Sequence, residues 1–309
     1  MCIRDSDEML AAEQPDVVLI CTPPAPHREQ SLAAFASGAH VVVEKPPAPS
    51  LDELDDMRAA ADAAGRQLAV VFQQRTGTAA AHVRSLLQSG ALGRPLVAVC
   101  QTLWFRDADY FAVPWRGKWA TEGGGTTLGH GIHQIDLLAH LLGDWSSVQG
   151  RLWRLDRETE TEDVSTATIV FDRGVVAQLI TSAVSPRETS SIRIDTQKAT
   201  ITVDHVYGHG HENWRITAAP GFESEAEGWG FPDAEERSDH EPLLRDVFDA
   251  LLDGGPLPAT ADAPARSLEI VAGIYASAAA DGAVITPEIL AAHPTHRAGF
   301  ASPVTDLRR

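Results

Sequence analysis

From Asp16 onward, short apolar runs alternate with polar segments of helical length, and that alternation restricts this chain to very few folds. "DVVLIC" (16–21) is followed by the turn signal "TPPAP" and by "HREQSLAAFASG" (27–38), a helix closed by Gly38. "HVVVE" (40–44) is a second strand. "SLDELDDMRAAADAAG" (50–65) comes next, with Ser50 and Glu53 at capping-box spacing and Gly65 as its stop. "LAVVF" (68–72) is a third strand. Strands joined through helices by short connections run parallel in right-handed crossovers, so the segment predicts an open α/β sheet. Ligands of such sheets bind outside the carboxyl ends of the strands. Cys21–Pro24, Glu44–Pro46 and Gln73–Arg75 fall at those ends, and one cleft is expected there.

The pattern then changes. A helix is expected over 78–89 and a strand at "PLVAVCQTLWF" (95–105). An irregular aromatic stretch (106–119) precedes the run Gly123–Gly125 and an amphipathic helix to about Leu142. "SVQGRLWRL", "STATIVF", "GVVAQLITSAV", "SSIRIDT", "ATITVD" and "NWRITA" succeed one another without intervening helices, which argues for a largely antiparallel open sheet. Helices at 241–253 and 262–280 close the fold, and the tail beyond Pro287 is expected to dock loosely. The division is therefore an α/β unit at 1–93, an α+β unit at 94–290 and a tail at 291–309.

A formal net charge of -18 argues against nucleic acid or an anionic membrane as partner. Cys2, Cys21 and Cys100 have neither metal-like spacing nor the density of a disulfide framework, which suits a reducing cytoplasm. No apolar run reaches the roughly 18 residues of a membrane span. Arg4, Asp5, Asp7 and Glu8 stand where a signal peptide would be apolar, so no signal peptide is expected.

Pro46 cannot donate a ladder hydrogen bond and biases Lys45 towards an extended conformation at the cleft mouth. An ammonium there suits binding a hydroxyl or carbonyl oxygen and moving its proton. The plainer reading is a lysine that snorkels at a strand end, with Glu44 as a surface partner. In "GGGTTLGHGIHQIDLLAHLLG" (123–143), Leu128, Ile132, Ile135, Ala139 and Leu142 form one helical face. Gly129, His133, Asp136 and His140 follow an adjacent line, so a histidine and an acid could face the cleft. Against this stands a capped core helix with solvated histidines. A metal at His130 and His133, or in "HVYGHGHENW" (205–214), lacks an evident ligand set. Trp104, Phe105, Tyr110, Phe111, Trp115 and Trp119 suit either stacking on a ring or core packing.

"CTPPAPHREQSLAAFASGAHVVVEKPPAPSLDEL" together with "PWRGKWATEGGGTTLGHGIHQID" resembles the glucose–fructose oxidoreductase / inositol dehydrogenase / MocA (Gfo/Idh/MocA) family, with the likeness running from about Asp7 to about Pro287. The resemblance implies an N-terminal Rossmann domain and a C-terminal α/β domain that binds substrate and assembles into a homo-oligomer. It implies NAD- or NADP-dependent hydride transfer to or from a sugar, polyol or related hydroxy compound. By motif position Lys45 is similar to the family's catalytic lysine, and His133 matches its catalytic or substrate-binding histidine. Thr22, Pro23, Pro24, His27, Glu44 and Pro46 match positions near the cofactor, and Trp115 and Arg116 resemble a W-R pair that reaches it from the second domain. Arg75, His130 and Asp136 are the further candidates for substrate contact.

Two departures stand out. Many members carry Asp or Asn where this chain has Gly129, so His133 lacks that polarising group and His130 is expected to substitute for it in binding substrate. A dinucleotide site also needs a glycine-rich turn after its first strand, and the first glycine here is Gly38. We therefore expect the first strands of the Rossmann domain, roughly 60 residues, to be missing from this sequence, with residues 1 to 6 an artefact. The alternative function is a non-catalytic relative that keeps the cleft and binds a carbohydrate or protein without a dinucleotide.

Overall fold

The computed structural model describes residues 6–205, 207–258 and 262–308, so the expectations for residues 1 to 5, Cys2 among them, lie outside the described residues. The first part of the chain runs α1 (Ser6–Glu13), β1 (Val17–Ile20), α2 (His27–Ala36), β2 (His40–Val43), α3 (Leu51–Ala64), β3 (Leu68–Val70) and α4 (Thr78–Ser89). The strands form a parallel sheet in the order β1-β2-β3. The register aligns Ile20 with Val43 and Val43 with Val70, so all three strands end at one edge. Ser50 caps α3 by accepting from the Glu53 amide at 3.2 Å, as its spacing predicted.

The run of valines in β2 has a direct cause. Val41 and Val43 pack into the main core with Phe35 and Leu54. Val42 faces the other way, into a smaller cluster with Ala69, Val71, Leu243 and Val247. A central strand buried on both faces has no use for alternation.

The second part contains β4 (Pro95–Phe105), α5 (Ala108–Phe111), α6 (Trp119–Glu122), α7 (Ile132–Leu142), β5 (Trp145–Arg154), β6 (Val164–Phe171), β7 (Val176–Ser182), β8 (Val184–Thr196), β9 (Ala199–Asp204) and β10 (Trp214–Ala218). It ends with α8 (His240–Leu252), α9 (Asp262–Ala279), α10 (Pro287–Ala291), α11 (Pro294–Ala298) and β11 (Thr305–Asp306). The larger sheet has the order β10-β9-β8-β4-β7-β6-β5-β11. It is antiparallel except for the β4–β7 and β5–β11 pairs. Buried and less buried residues alternate along β6, as in a strand covered on one face. Helix α9 lies close on β5, where a Cβ at Gly150 would stand 2.8 Å from Ile274 Cγ2, so glycine permits the approach. None of the helices among the described residues is long and apolar enough to cross a membrane.

Segments cross between the two parts in both directions. Leu243 and Val247 of α8 cover the outer face of the first sheet. Arg75, just after β3, makes a bidentate ion pair with Asp136 of α7, with its Nε 2.6 Å from Oδ2. Ser267 of α9 donates to the same carboxylate at 2.6 Å. Side chains of Arg75 and Asp136 are 7% and 0% exposed, so the structure gives them to each other where substrate contact was expected. A carboxylate that accepts from a guanidinium and a hydroxyl in a buried setting is committed to holding elements together.

The tail expectation is corrected as well. Phe300 is 2% exposed and stacks on Tyr275 with ring centroids 5.8 Å apart. Ser302 donates to the Tyr275 carbonyl at 3.1 Å, and β11 adds to the edge of β5. Arg297 of α11 reaches Asp52 of α3 at 2.8 Å. The apolar signal here is a few isolated residues, Phe300 and Val304 among them, too sparse for periodicity to detect.

Two substitutions should register in urea denaturation. Phe300→Ala should cost about 3 kcal/mol, as for a truncated core aromatic, and a cost near zero would show that the tail is not docked. Asp136→Ala, which strands a buried guanidinium, should cost about 3 kcal/mol or more, and an unchanged midpoint would contradict a bracing role for the pair.

Candidate active site

A cavity of about 520 Å³ opens where the strands of the first sheet end and the second part of the chain closes over them. Its floor is Cys21, Thr22, Pro23 and Pro24 after β1, with Glu44, Lys45 and Pro46 after β2. Trp104 and Arg106 at the end of β4, Tyr110 of α5, and Trp115, Arg116 and Glu122 form the opposing wall. Gly129, His130 and Tyr207 complete it. Parallel register makes this floor: β1 and β2 end at one edge and deliver the residues beyond them side by side, while Gln73–Arg75 beyond β3, expected in the same cleft, do not line it.

Lys45 is half-buried and opens onto this cavity, and the Lys45–Pro46 peptide is cis. Its Nζ donates to the Gly129 carbonyl at 3.1 Å. Burial lowers the Lys45 pKa to about 8; Glu44 and Glu122 oppose the shift while Arg116 and Arg106 reinforce it. Gly129 lies in a wide π-helical turn, Thr127–Gly131, that leads into α7. Glu162 holds that turn in place, accepting from the Thr127 amide at 3.0 Å and the Tyr275 hydroxyl at 2.9 Å. Wide turns of this kind recur at functional sites.

The aromatic wall is built around Tyr110. Arg116 stacks over its ring at 3.8 Å and donates to its hydroxyl, and Arg106 lies 5.3 Å from the same ring. The Tyr110 hydroxyl also stands 3.0 Å from His130 Nε2. Burial holds His130 and His133 well below the usual histidine range, with neighbouring cations such as Lys45 adding to the effect. Both are therefore neutral imidazoles, and the Nδ1 of each lacks a hydrogen-bond partner among the described residues.

The residues singled out in the sequence divide into two groups. Lys45, Thr22, Pro23, Pro24, Glu44, Pro46, Trp115, Arg116 and His130 line the cavity. His27, His133, Arg75 and Asp136 do not. His27 is 0% exposed and bridges the strand-end loops, with Nε2 2.9 Å from the Thr22 carbonyl and Nδ1 3.1 Å from that of Pro46. It braces the floor. His133 is 1% exposed and stands behind Tyr207, its Nε2 3.3 Å from the Tyr207 hydroxyl.

Sequence reasoning misses Glu122, Arg106 and Tyr207 as site residues. Glu122 directly precedes the glycine run, and Tyr207 hides in a loop whose histidines are the more conspicuous signal. Of those, His209 pairs with Ser238 at 2.9 Å and His211 with Thr78 at 2.7 Å. Among the described residues no group of metal-type side chains could hold an ion.

Comparison with known proteins gives this arrangement a context. Residues 2–72 match the profile described as "Oxidoreductase family, NAD-binding Rossmann fold", and residues 80–202 match the GFO/IDH/MocA C-terminal domain. The chain is 31% identical to D-glucoside 3-dehydrogenase of Escherichia coli over 66% of its own length. It spans 63% of that relative's length. It is 29% identical to 1,5-anhydro-D-fructose reductase of Ensifer adhaerens, covering 75% of each. Among solved structures, the WlbA dehydrogenase of Bordetella pertussis in complex with NADH and UDP-GlcNAcA superposes with a TM-score of 0.81 at 26% identity. That match covers 92% of this chain and 83% of the other. With a parallel first sheet, a mixed and mostly antiparallel second sheet and both halves matched by consecutive profiles of one group, the chain belongs to the Gfo/Idh/MocA oxidoreductase family.

Proposed function

We propose that the protein is an NAD(P)-dependent oxidoreductase that moves a hydride between a nicotinamide cofactor and the hydroxyl-bearing carbon of a sugar, polyol or related hydroxy compound. The observation that carries this reading is Lys45, a half-buried lysine whose pKa burial lowers to about 8, placed just past the end of the central strand and opening onto the cavity. The relatives support the substrate class, since their names are those of dehydrogenases and reductases of sugar-like compounds.

The residues present fit the reacting end of such a cofactor. Pro23 and Pro24 offer a flat apolar shelf, and the Glu44 carboxylate and Thr22 supply polar groups beside it. Bound there, the nicotinamide supplies the hydride chemistry. The chain's own part is proton transfer and placement. The neutral Lys45 amine takes the proton of the substrate hydroxyl in the oxidation direction, and the ammonium returns it to the carbonyl oxygen in reduction. Gly129 holds Nζ in place through its carbonyl. His130 and Tyr110, both on the cavity lining, provide polar and stacking contacts for a sugar. Two copies joined through the open face of the larger sheet would suit the family, and this assembly belongs to the same proposal.

The test is turnover of sugars and polyols with NAD+ and NADP+, monitored by absorbance of the reduced nicotinamide. Oxidation should accelerate as pH rises through about 8, where Lys45 loses its proton, and reduction should slow over the same interval. Lys45→Ala should lower kcat by about 10²- to 10⁴-fold while the cofactor still binds. Unchanged turnover in that variant would remove Lys45 from the chemistry.

A further inference from the structure

Proton transfer through Lys45 leaves Glu122 without a task, although its carboxylate lies inside the cavity. It ends α6 and is 7% exposed. Its Oε2 accepts from the Gly117 amide at 2.6 Å, and its Oε1 lies 3.6 Å from Arg116 Nη1. The same Oε1 faces the wide turn. A Cβ built at Gly129 would stand 3.5 Å from it, with no other atom of the described residues within 4 Å outside the turn's own backbone and chain neighbours. Gly129 therefore has the Lys45 ammonium on its carbonyl and the Glu122 carboxylate over its bare α-carbon.

We propose that Glu122 is a positioning residue of this site: together with Glu44, its carboxylate favours the ammonium form of Lys45, acting from the volume that a side chain at position 129 would otherwise fill. The proposal rests on the oxidoreductase reading only for its effect on turnover. A group needed merely to cap the Gly117 amide would not have to be an acid or to line the cavity.

The charges around the pair give the sign. Glu44, on the lysine's own strand end, and Glu122 favour the ammonium, while Arg116 and Arg106 from the aromatic wall oppose it. Removing the Glu122 charge leaves Glu44 alone against two guanidinium groups. Glu122 is itself pushed up to about 7, by burial first and by Glu162, against the Gly117 amide, Arg116 and Lys45. Its own titration therefore adjoins that of Lys45.

The chain has three lysines, Lys45, Lys118 and Lys198, so ¹³C labelling of lysine gives an ε-carbon spectrum in which Lys45 can be titrated directly in the full chain. In Glu122→Gln the Lys45 midpoint should fall by roughly one pH unit. Adding Gly129→Asp, whose Cβ meets only an ordinary contact, should return it towards the original value. An unmoved midpoint in a Glu122→Gln protein that melts normally would overturn the proposal. If that variant does not fold, Glu122→Asp, which keeps the charge but draws it back by one methylene, should lower the Lys45 midpoint by a smaller amount, and an unmoved midpoint there overturns the proposal equally. With a substrate in hand, the kcat profile for oxidation should move to lower pH in Glu122→Gln, with KM for the cofactor unchanged. A shifted Lys45 midpoint in a protein that oxidises no sugar or polyol would sink the oxidoreductase reading and leave this one standing.

Discussion

One amine is partly withdrawn from water just past the end of a strand buried on both faces. Val41, Val42 and Val43 bury β2 on both faces, so the strand can meet solvent only at its ends. Lys45 comes two residues after Val43 and finds the Gly129 carbonyl 3.1 Å away, on a helical turn from the other part of the chain. Burying an ammonium is unfavourable unless hydrogen bonds and opposite charge offset it. The Gly129 carbonyl, Glu44 and Glu122 supply that offset, and the remaining cost appears as a proton held loosely enough to leave near neutral pH.

Much of the surrounding structure keeps these groups in register. His27 ties the loops after β1 and β2 together, so the floor cannot spread. Glu162 grips the wide turn that presents Gly129, and the Arg75–Asp136–Ser267 cluster locks β3 to α7 and α9. These are buried polar networks in which each member has a partner, the condition under which such networks rigidify a fold.

The floor is legible in the sequence because strand ends obey a rule: parallel strands with short crossovers finish together, so the residues just beyond them meet. Lys45, Glu44, Thr22 and the prolines are legible in that way. The wall is less so. Glu122 and Tyr207 reach the cavity through tertiary packing of irregular segments, which no periodicity records. The helical spacing that puts Asp136 beside His133 on one line is sound, but nothing in spacing shows that Arg75, distant in sequence, takes that carboxylate. The wide turn also lies outside what an ideal helical pattern describes, and it is the turn that brings Gly129 to Lys45.

The packing of α8 bears on how the molecule divides. Val42, Ala69 and Val71 of the first sheet are sealed by Leu243 and Val247, residues that the chain supplies only after completing the larger sheet. Arg297 then reaches back to α3 from near the other end. A piece of the protein cut at residue 93 would keep three strands and lose the cover on one side of them, exposing a contiguous apolar face. The two parts are separate in sheet but interleaved in chain, so the first sheet reaches its final form only once the larger sheet and α8 have been made.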